Sequence, residues 1–234
     1  FKTTHIISSK KFSEYTDFPM PDDYPDYPSG AELLAYFNSY VEKFDLKQHI
    51  RFNTKVVKAI PLENKWKLFF EDSTEDFDYL IVANGHHWSP RIPTFKGEFS
   101  GELMHSHQFK NNEYFKDKSV LVVGGGNSAC DIAVEVSRVA KKTSISMRRG
   151  YHFIPKFMMG IPSDAYYAKT LWIPQRIRLF FQKLALRIVQ GTYENYGLQK
   201  PDHDILQSHA TVNSELLYFI CLLYTSDAAD DVAS

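Results

Sequence analysis

The 234-residue chain carries 27 Lys+Arg against 28 Asp+Glu, a formal net charge of -1, with 44% hydrophobic and 24% charged residues. These are the proportions of an ordinary soluble globular protein with one large domain or two modest ones, and the balanced charge argues against a nucleic-acid coat or a charged tail; a cytoplasmic location is expected. The two cysteines are too few for a disulfide framework or a four-thiolate zinc site. The chain opens on Phe1 rather than Met and reads as cut from something longer.

Residues 1–30 are expected to be irregular, because Pro19, Pro21, Pro25 and Pro28 forbid a helix in an acidic, aromatic stretch. Ser29 or Gly30 then caps a helix predicted through Lys43. Its apolar residues Leu33, Leu34, Phe37, Val41 and Phe44 recur at helical spacing. Three strands are predicted next, at Arg51–Ile60, Trp66–Phe70 and Phe77–Ala83. The third is continuously apolar, as in a strand buried on both faces, and ends in the turn signal Asn84-Gly85.

The clearest unit starts near Asp117. Ser119–Val123 is a short apolar strand, and Gly124-Gly125-Gly126 follows at once. A helix is predicted from Asn127 to about Lys142, with Ile132, Val136 and Val139 on one face, and then a strand at Thr143–Met147. Strand, glycine turn, helix, strand is a βαβ unit. The turn matches G-x-G-x-x-A in the context that the dinucleotide fingerprint requires. Gly124 permits the tight turn, Gly126 permits close approach of a pyrophosphate, and Ala129 permits helix–strand packing. The unpaired amides and the helix dipole favour an anion there, with Asn127 and Ser128 as added donors. The alternative is a tight turn that holds no ligand.

The second strand ends in Met147-Arg148-Arg149-Gly150, where an NAD site usually carries a carboxylate. A guanidinium pairs with a 2′-phosphate through forked hydrogen bonds. This points to NADP, against a solvated basic turn as the alternative. Beyond Tyr151, a helix is predicted from Pro174 to about Gln190, stopped by Gly191. Ile177, Phe180, Phe181, Leu184 and Ile188 form its stripe, with Arg176, Lys183 and Arg187 off it. Such a helix either faces a core with its basic side solvated or lies on a membrane surface. The apolar run Leu216–Tyr224 is too short to cross a bilayer.

Phe99, Gly101, His105 and Phe109 spell F-x-G-x-x-x-H-x-x-x-F, and the glycine turn begins 15 residues after Phe109. This resembles the fingerprint of the flavin-containing monooxygenases. Phe109-Lys110 takes that family's form, where the related Baeyer–Villiger enzymes usually show Trp followed by Pro or Asp. The stretch from Lys10 to Asp17-Phe18-Pro19, the strand end Val82-Ala83-Asn84-Gly85 and the dipeptide Asn127-Ser128 are similar to family segments too.

The resemblance implies an α/β architecture of two Rossmann-like, dinucleotide-binding domains: an FAD-type domain, incomplete here, and an NADP-type domain with a parallel βαβ core. Residues 1–92 would be part of the FAD-type domain, 93–117 a linker carrying the fingerprint, and 118–220 the NADP-binding domain. It implies NADP and FAD as cofactors, hydride transfer from NADPH to flavin, and oxygenation of a nitrogen or sulfur on a small molecule by molecular oxygen through a flavin C4a-hydroperoxide. The cofactor-binding residues it marks are Gly124, Gly126, Asn127, Ser128, Arg148, Arg149, Asn84 and Gly85; it marks no metal and no catalytic side chain. A Baeyer–Villiger-type oxygenase or a catalytically silent NADP-binding piece are the alternatives. Two features depart from the family. No G-x-G-x-x-G precedes Asn84, and the position of a flavin-side Asn falls on Ile7.

His105 and His107 are expected on one face of a strand, as a hydrogen-bonding post rather than a metal site. His86 and His87 are expected as solvated loop residues. Cys130 is expected as a buried residue behind the turn rather than a reactive thiolate. Cys221–Ser234 does not fit the family, and Cys221 to Asp230 looks like the translation of a transposase adapter. Residues 221–234 are therefore expected to be a non-native tail.

Overall fold

The computed structural model describes residues 3–85, 88–205, 207, 208 and 210–224, the last three without side chains. The chain forms two compact units: Phe1–Leu34 with Ser100–Ser234, and Ala35–Phe99. Parallel and antiparallel sheets both occur, in a mixed α/β fold.

The first unit begins with α1 (Lys10–Ser13), one turn inside the segment expected to be irregular. The proline stretch after it stays non-helical and is gathered by one cation. Lys10 Nζ donates to the carbonyls of Pro21, Asp22 and Tyr24 at 3.3, 3.0 and 2.8 Å. α2 (Gly30–Lys43) starts on a full capping box. The Ser29 N–H and hydroxyl both donate to Glu32 Oε2 at 2.7 Å, and Glu32 N–H donates back to Ser29 Oγ. The helix crosses from the first unit into the second. Its buried residue is Tyr36, whereas Leu34 and Phe37 of the expected stripe lie open. An apolar stripe is buried only against a second element, and among the described residues no strand packs extensively along it.

The second unit contains an antiparallel sheet of β1 (Lys58–Pro61), β2 (Trp66–Phe69) and β3 (Thr74–Phe77). β3 is polar and was not expected. It forms because a tight turn, closed by Phe70 N–H to Ser73 O, returns the chain against β2. Opposite charges then meet across the ladder, Lys67 facing Asp76. The predicted strand at Phe77–Ala83 does not continue past Phe77. Tyr79, Ile81 and Val82 are exposed, because a strand buried on both faces needs paired neighbours and covering layers. None is present among the described residues of this unit.

The βαβ expectation holds in the first unit. β4 (Ser119–Val123) pairs in parallel with β5 (Lys142–Ser146), joined by α3 (Asn127–Ser137). α3 ends earlier than its periodicity suggested. Ser137 Oγ donates to Val134 O, and Val139 and Ala140 N–H both turn onto Val136 O. That unwinding lets β5 begin in register, Lys142 opposite Ser119.

Short strands follow. β6 (Phe153–Ile154) pairs in parallel with β9 (Thr211–Val212), and β7 (Phe157–Met158) pairs with β8 (Ile161–Pro162). α4 (Ser163–Lys169) leads to α5 (Gln175–Gln190), which starts after Pro174 and stops at Gly191, as expected. α5 buries none of its residues, so the core-facing expectation fails there. α6 (Leu216–Tyr224) packs on α3 and continues through Cys221. Residues 225–234 of the expected tail lie outside the described residues.

α3 organises the core on two sides. Cys130, Ala133 and Val134 meet Phe153, Leu216 and Leu217. Ile132 and Val136 meet Phe109, whose ring stacks on Phe115 with centroids 5.6 Å apart.

Candidate dinucleotide site

The glycine turn sits where β4 passes into α3. Gly124 has φ +137°, a conformation that side chains rarely adopt, and its N–H donates to Ser146 O at 2.9 Å. Gly125 is buried, and a Cβ there would overlap the Tyr151 ring. Gly126 is the N-cap of α3, and a Cβ built on it meets nothing within 4 Å. The first-turn amides that follow have no partner within the helix, so this open side of the turn can accept an anion. Ser128 is exposed at that end. Asn127 points its oxygen inward, accepting from Val212 N–H at 2.8 Å.

Arg148 and Arg149 follow β5 and are both exposed. The ladder sets Val123 opposite Ser146, so the pair leaves the sheet beside the turn. Arg149 Nη2 donates to Ser208 Oγ at 2.8 Å, and its guanidinium lies 5.7 Å from the Tyr151 ring centroid. A cleft of about 240 Å³ opens here, lined by Met147, Arg149, Gly150, Tyr151 and Leu198 among others. Turn, arginine pair and cleft thus share one end of a single βαβ unit. The open side of Gly126 and the basic strand end suit a phosphorylated dinucleotide.

Asn84 and Gly85 belong to the other unit. Gly85 has φ +70°, and Asn84 O accepts from Trp88 Nε1 at 2.8 Å. Among the described residues no second glycine turn precedes them, and the strand expected to lead into them is unpaired. The described residues therefore do not by themselves form a flavin cradle. Ile7 is partly exposed, and Ser8 Oγ is engaged with Ser13 Oγ at 2.8 Å.

Cys130 is fully buried, and burial pushes its thiol up to about 12, with the Asp131 charge adding to the shift. It is a packing residue whose S–H leans on Gly125 O at 3.7 Å. His105 and His107 do not share a strand. His105 caps a 3₁₀ turn, Ser106–Gln108, with its ring accepting from His107 N–H and its own N–H donating to Gln108. That turn delivers Phe109 to the core beneath α3. His86 and His87 lie outside the described residues.

Three features here were missed from sequence. Tyr151 covers Gly125, Thr211 Oγ1 donates to Gly125 O at 2.8 Å, and Asn213 Nδ2 donates to Asp131 Oδ1 at 2.8 Å. The last two reach the turn from more than 80 residues away, which no local motif signals. Burial raises the Asp131 carboxyl above its usual range, against the opposing influence of His5 and Asn213. A larger groove of about 740 Å³ lies elsewhere in the same unit, between α5 and the segment around His203.

The fold is mixed α/β, and this turn has the form of a dinucleotide fingerprint between strand and helix. The flavin-binding monooxygenase-like family profile matches residues 1–224, and the chain belongs to that family. Flavin-containing monooxygenase 5 of Homo sapiens is 34% identical over 240 residues, covering 92% of this chain and 44% of the relative. Dimethylaniline monooxygenase [N-oxide-forming] 2 of Macaca mulatta is 33% identical, covering 89% and 42%. The chain thus spans less than half the length of these relatives. Among solved structures, OTEMO in complex with FAD and NADP superposes with a TM-score of 0.67 at 17% identity, over 94% of this chain and 56% of that one. At that identity the likeness shows the fold. Members of the family are oxidoreductases that use FAD and NADPH.

Proposed function

We propose that this chain is the NADPH-binding part, with a portion of the FAD-type domain, of a monooxygenase that oxygenates nitrogen or sulfur on a small molecule. In this reading residues 118–220 are the NADP-binding domain, 1–92 belong to the FAD-type domain, and 93–117 link them. The observation that carries it is the glycine turn of Gly124 and Gly126 beside the exposed arginine pair. The turn binds the pyrophosphate on its amides and on Asn127 and Ser128. Arg148 and Arg149 hold the 2′-phosphate and so select NADP over NAD. Asn84 and Gly85 are assigned as cofactor-binding residues of the FAD-type portion. NADPH supplies hydride and flavin supplies the oxygen-transfer chemistry when both are bound. The chain's own residues bind, orient and exclude water.

A charge-assisted hydrogen bond contributes roughly 1.5–3 kcal/mol, or about ten- to a hundredfold in affinity. Replacing Arg148 and Arg149 by Ala should therefore cut NADP+ affinity by at least tenfold and leave NAD+ affinity nearly unchanged. Calorimetric titration of both cofactors reads this, and an unaltered NADP+ preference would overturn the assignment. For the reaction, NADPH oxidation is followed with a tertiary amine, a sulfide and a ketone. An N- or S-oxide identified by mass supports this reading, whereas an ester or lactone from the ketone supports the Baeyer–Villiger alternative.

α5 supports a further part of the proposal, peripheral contact with a membrane surface. Phe180, Phe181, Ile188 and Val189 are exposed on a helix whose charged residues are Arg176, Arg178, Lys183 and Arg187, all basic.

A further inference from the structure

The Gly125 carbonyl oxygen accepts from Thr211 Oγ1 at 2.8 Å and, more weakly, from Cys130 Sγ at 3.7 Å. Thr211 is only 2% exposed, and its N–H donates to His152 O at 2.9 Å, so β9 is anchored independently of the turn. A buried carbonyl deprived of its donor is costly, which opposes any flip of this peptide. No peptide bond among the described residues is cis. In a trans peptide the following N–H points opposite to the C=O. With the Gly125 oxygen drawn inward to Thr211, the Gly126 N–H is directed outward, to the side where a Cβ meets nothing within 4 Å. The Gly126 N–H has no backbone acceptor among the described residues.

Two neighbouring contacts hold the same segment against the turn. Val212 N–H takes the Asn127 oxygen at 2.8 Å, which leaves the amide nitrogen as the donor end of that side chain. Asn213 Nδ2 donates to Asp131 at 2.8 Å, one turn further along α3. Thr211, Val212 and Asn213 therefore form a strap fastened at Gly125, Asn127 and Asp131.

We propose that Thr211 is a positioning residue for dinucleotide binding: its hydroxyl locks the Gly125–Gly126 peptide with the Gly126 N–H outward, toward a pyrophosphate oxygen. This rests on the cofactor reading above. Fixing the donor before the anion arrives removes an ordering cost from binding.

The test titrates NADP+ and adenosine 2′-monophosphate into the full chain and into its Thr211→Val and Thr211→Ser variants, with thermal denaturation of each. The monophosphate carries the group assigned to Arg148 and Arg149 but no pyrophosphate. Thr211→Val should weaken NADP+ binding about three- to tenfold, the scale of one hydrogen bond. It should leave monophosphate binding unchanged, and Thr211→Ser should restore NADP+ affinity. Unchanged NADP+ affinity in the Val variant overturns the positioning role and leaves the cofactor reading standing. Weakening of both ligands together, or a Ser variant as weak as the Val variant, shows a general folding role and overturns it too. If the unaltered chain binds no NADP+, the cofactor reading fails and this inference with it.

Discussion

His152 shows how one half-buried ring ties stability to pH. Its Nε2 lies 2.7 Å from His203 O, and the Tyr193 hydroxyl lies 3.3 Å from its Nδ1. The neutral tautomer with the proton on Nε2 satisfies both, donating to the carbonyl and accepting from the hydroxyl. Burial lowers its pKa from 6.5, and the charges of His203 and Lys183 lower it further, against the pull of Asp204 and the His203 carbonyl. The unfolded chain therefore binds this proton more readily, and stability falls as pH drops below about 6.5 until the folded-state value is passed. A His152→Gln variant should lose that part of the acid dependence in melts between pH 7 and pH 5. A parallel pH profile for both proteins would count against the assignment. At the same scale, Gly124 was legible from sequence because its role is a local backbone conformation. The partners of Gly125 were not, because Tyr151 and Thr211 reach it only through tertiary packing.

At the scale of elements, α3 is the hub, since it lies behind the turn and buries Cys130, Ile132, Ala133, Val134 and Val136, more than any other element among the described residues. Phe109 packs against Ile132 and Val136 and is 4% exposed. Phe109→Ala should destabilise the first unit by about 3–5 kcal/mol, read by chemical denaturation. A loss below about 1 kcal/mol would mean that the site collapses around the gap. The fingerprint's Phe109 thus acts through packing and its His105 through capping. Period and turn chemistry gave the bounds of α5 and the start of α3 correctly. The segment Tyr79–Val82 was misread because a continuous apolar run states a preference for burial and cannot supply the neighbours that burial requires.

For the whole molecule, exposed apolar surface is the main departure from expectation. Among the described residues no helix is long and apolar enough to cross a membrane. α5 nonetheless leaves its stripe open, and Leu171 and Trp172 before it are exposed as well. Vesicles containing anionic lipid should sediment the chain, more salt should release it, and a Phe180→Ser, Phe181→Ser variant should stay in the supernatant. Equal partition of the variant and the unaltered chain would exclude α5 as the contact.

The sequence by itself determined the βαβ unit, the glycine turn, the basic strand end and the family resemblance, because each rests on residues close along the chain. Periodicity and turn geometry act over a few residues, and a motif condenses them. Tertiary structure alone decided which apolar faces are covered and that Thr211–Asn213 straps the turn. Those outcomes depend on groups that meet only after the chain has folded back over more than 80 residues.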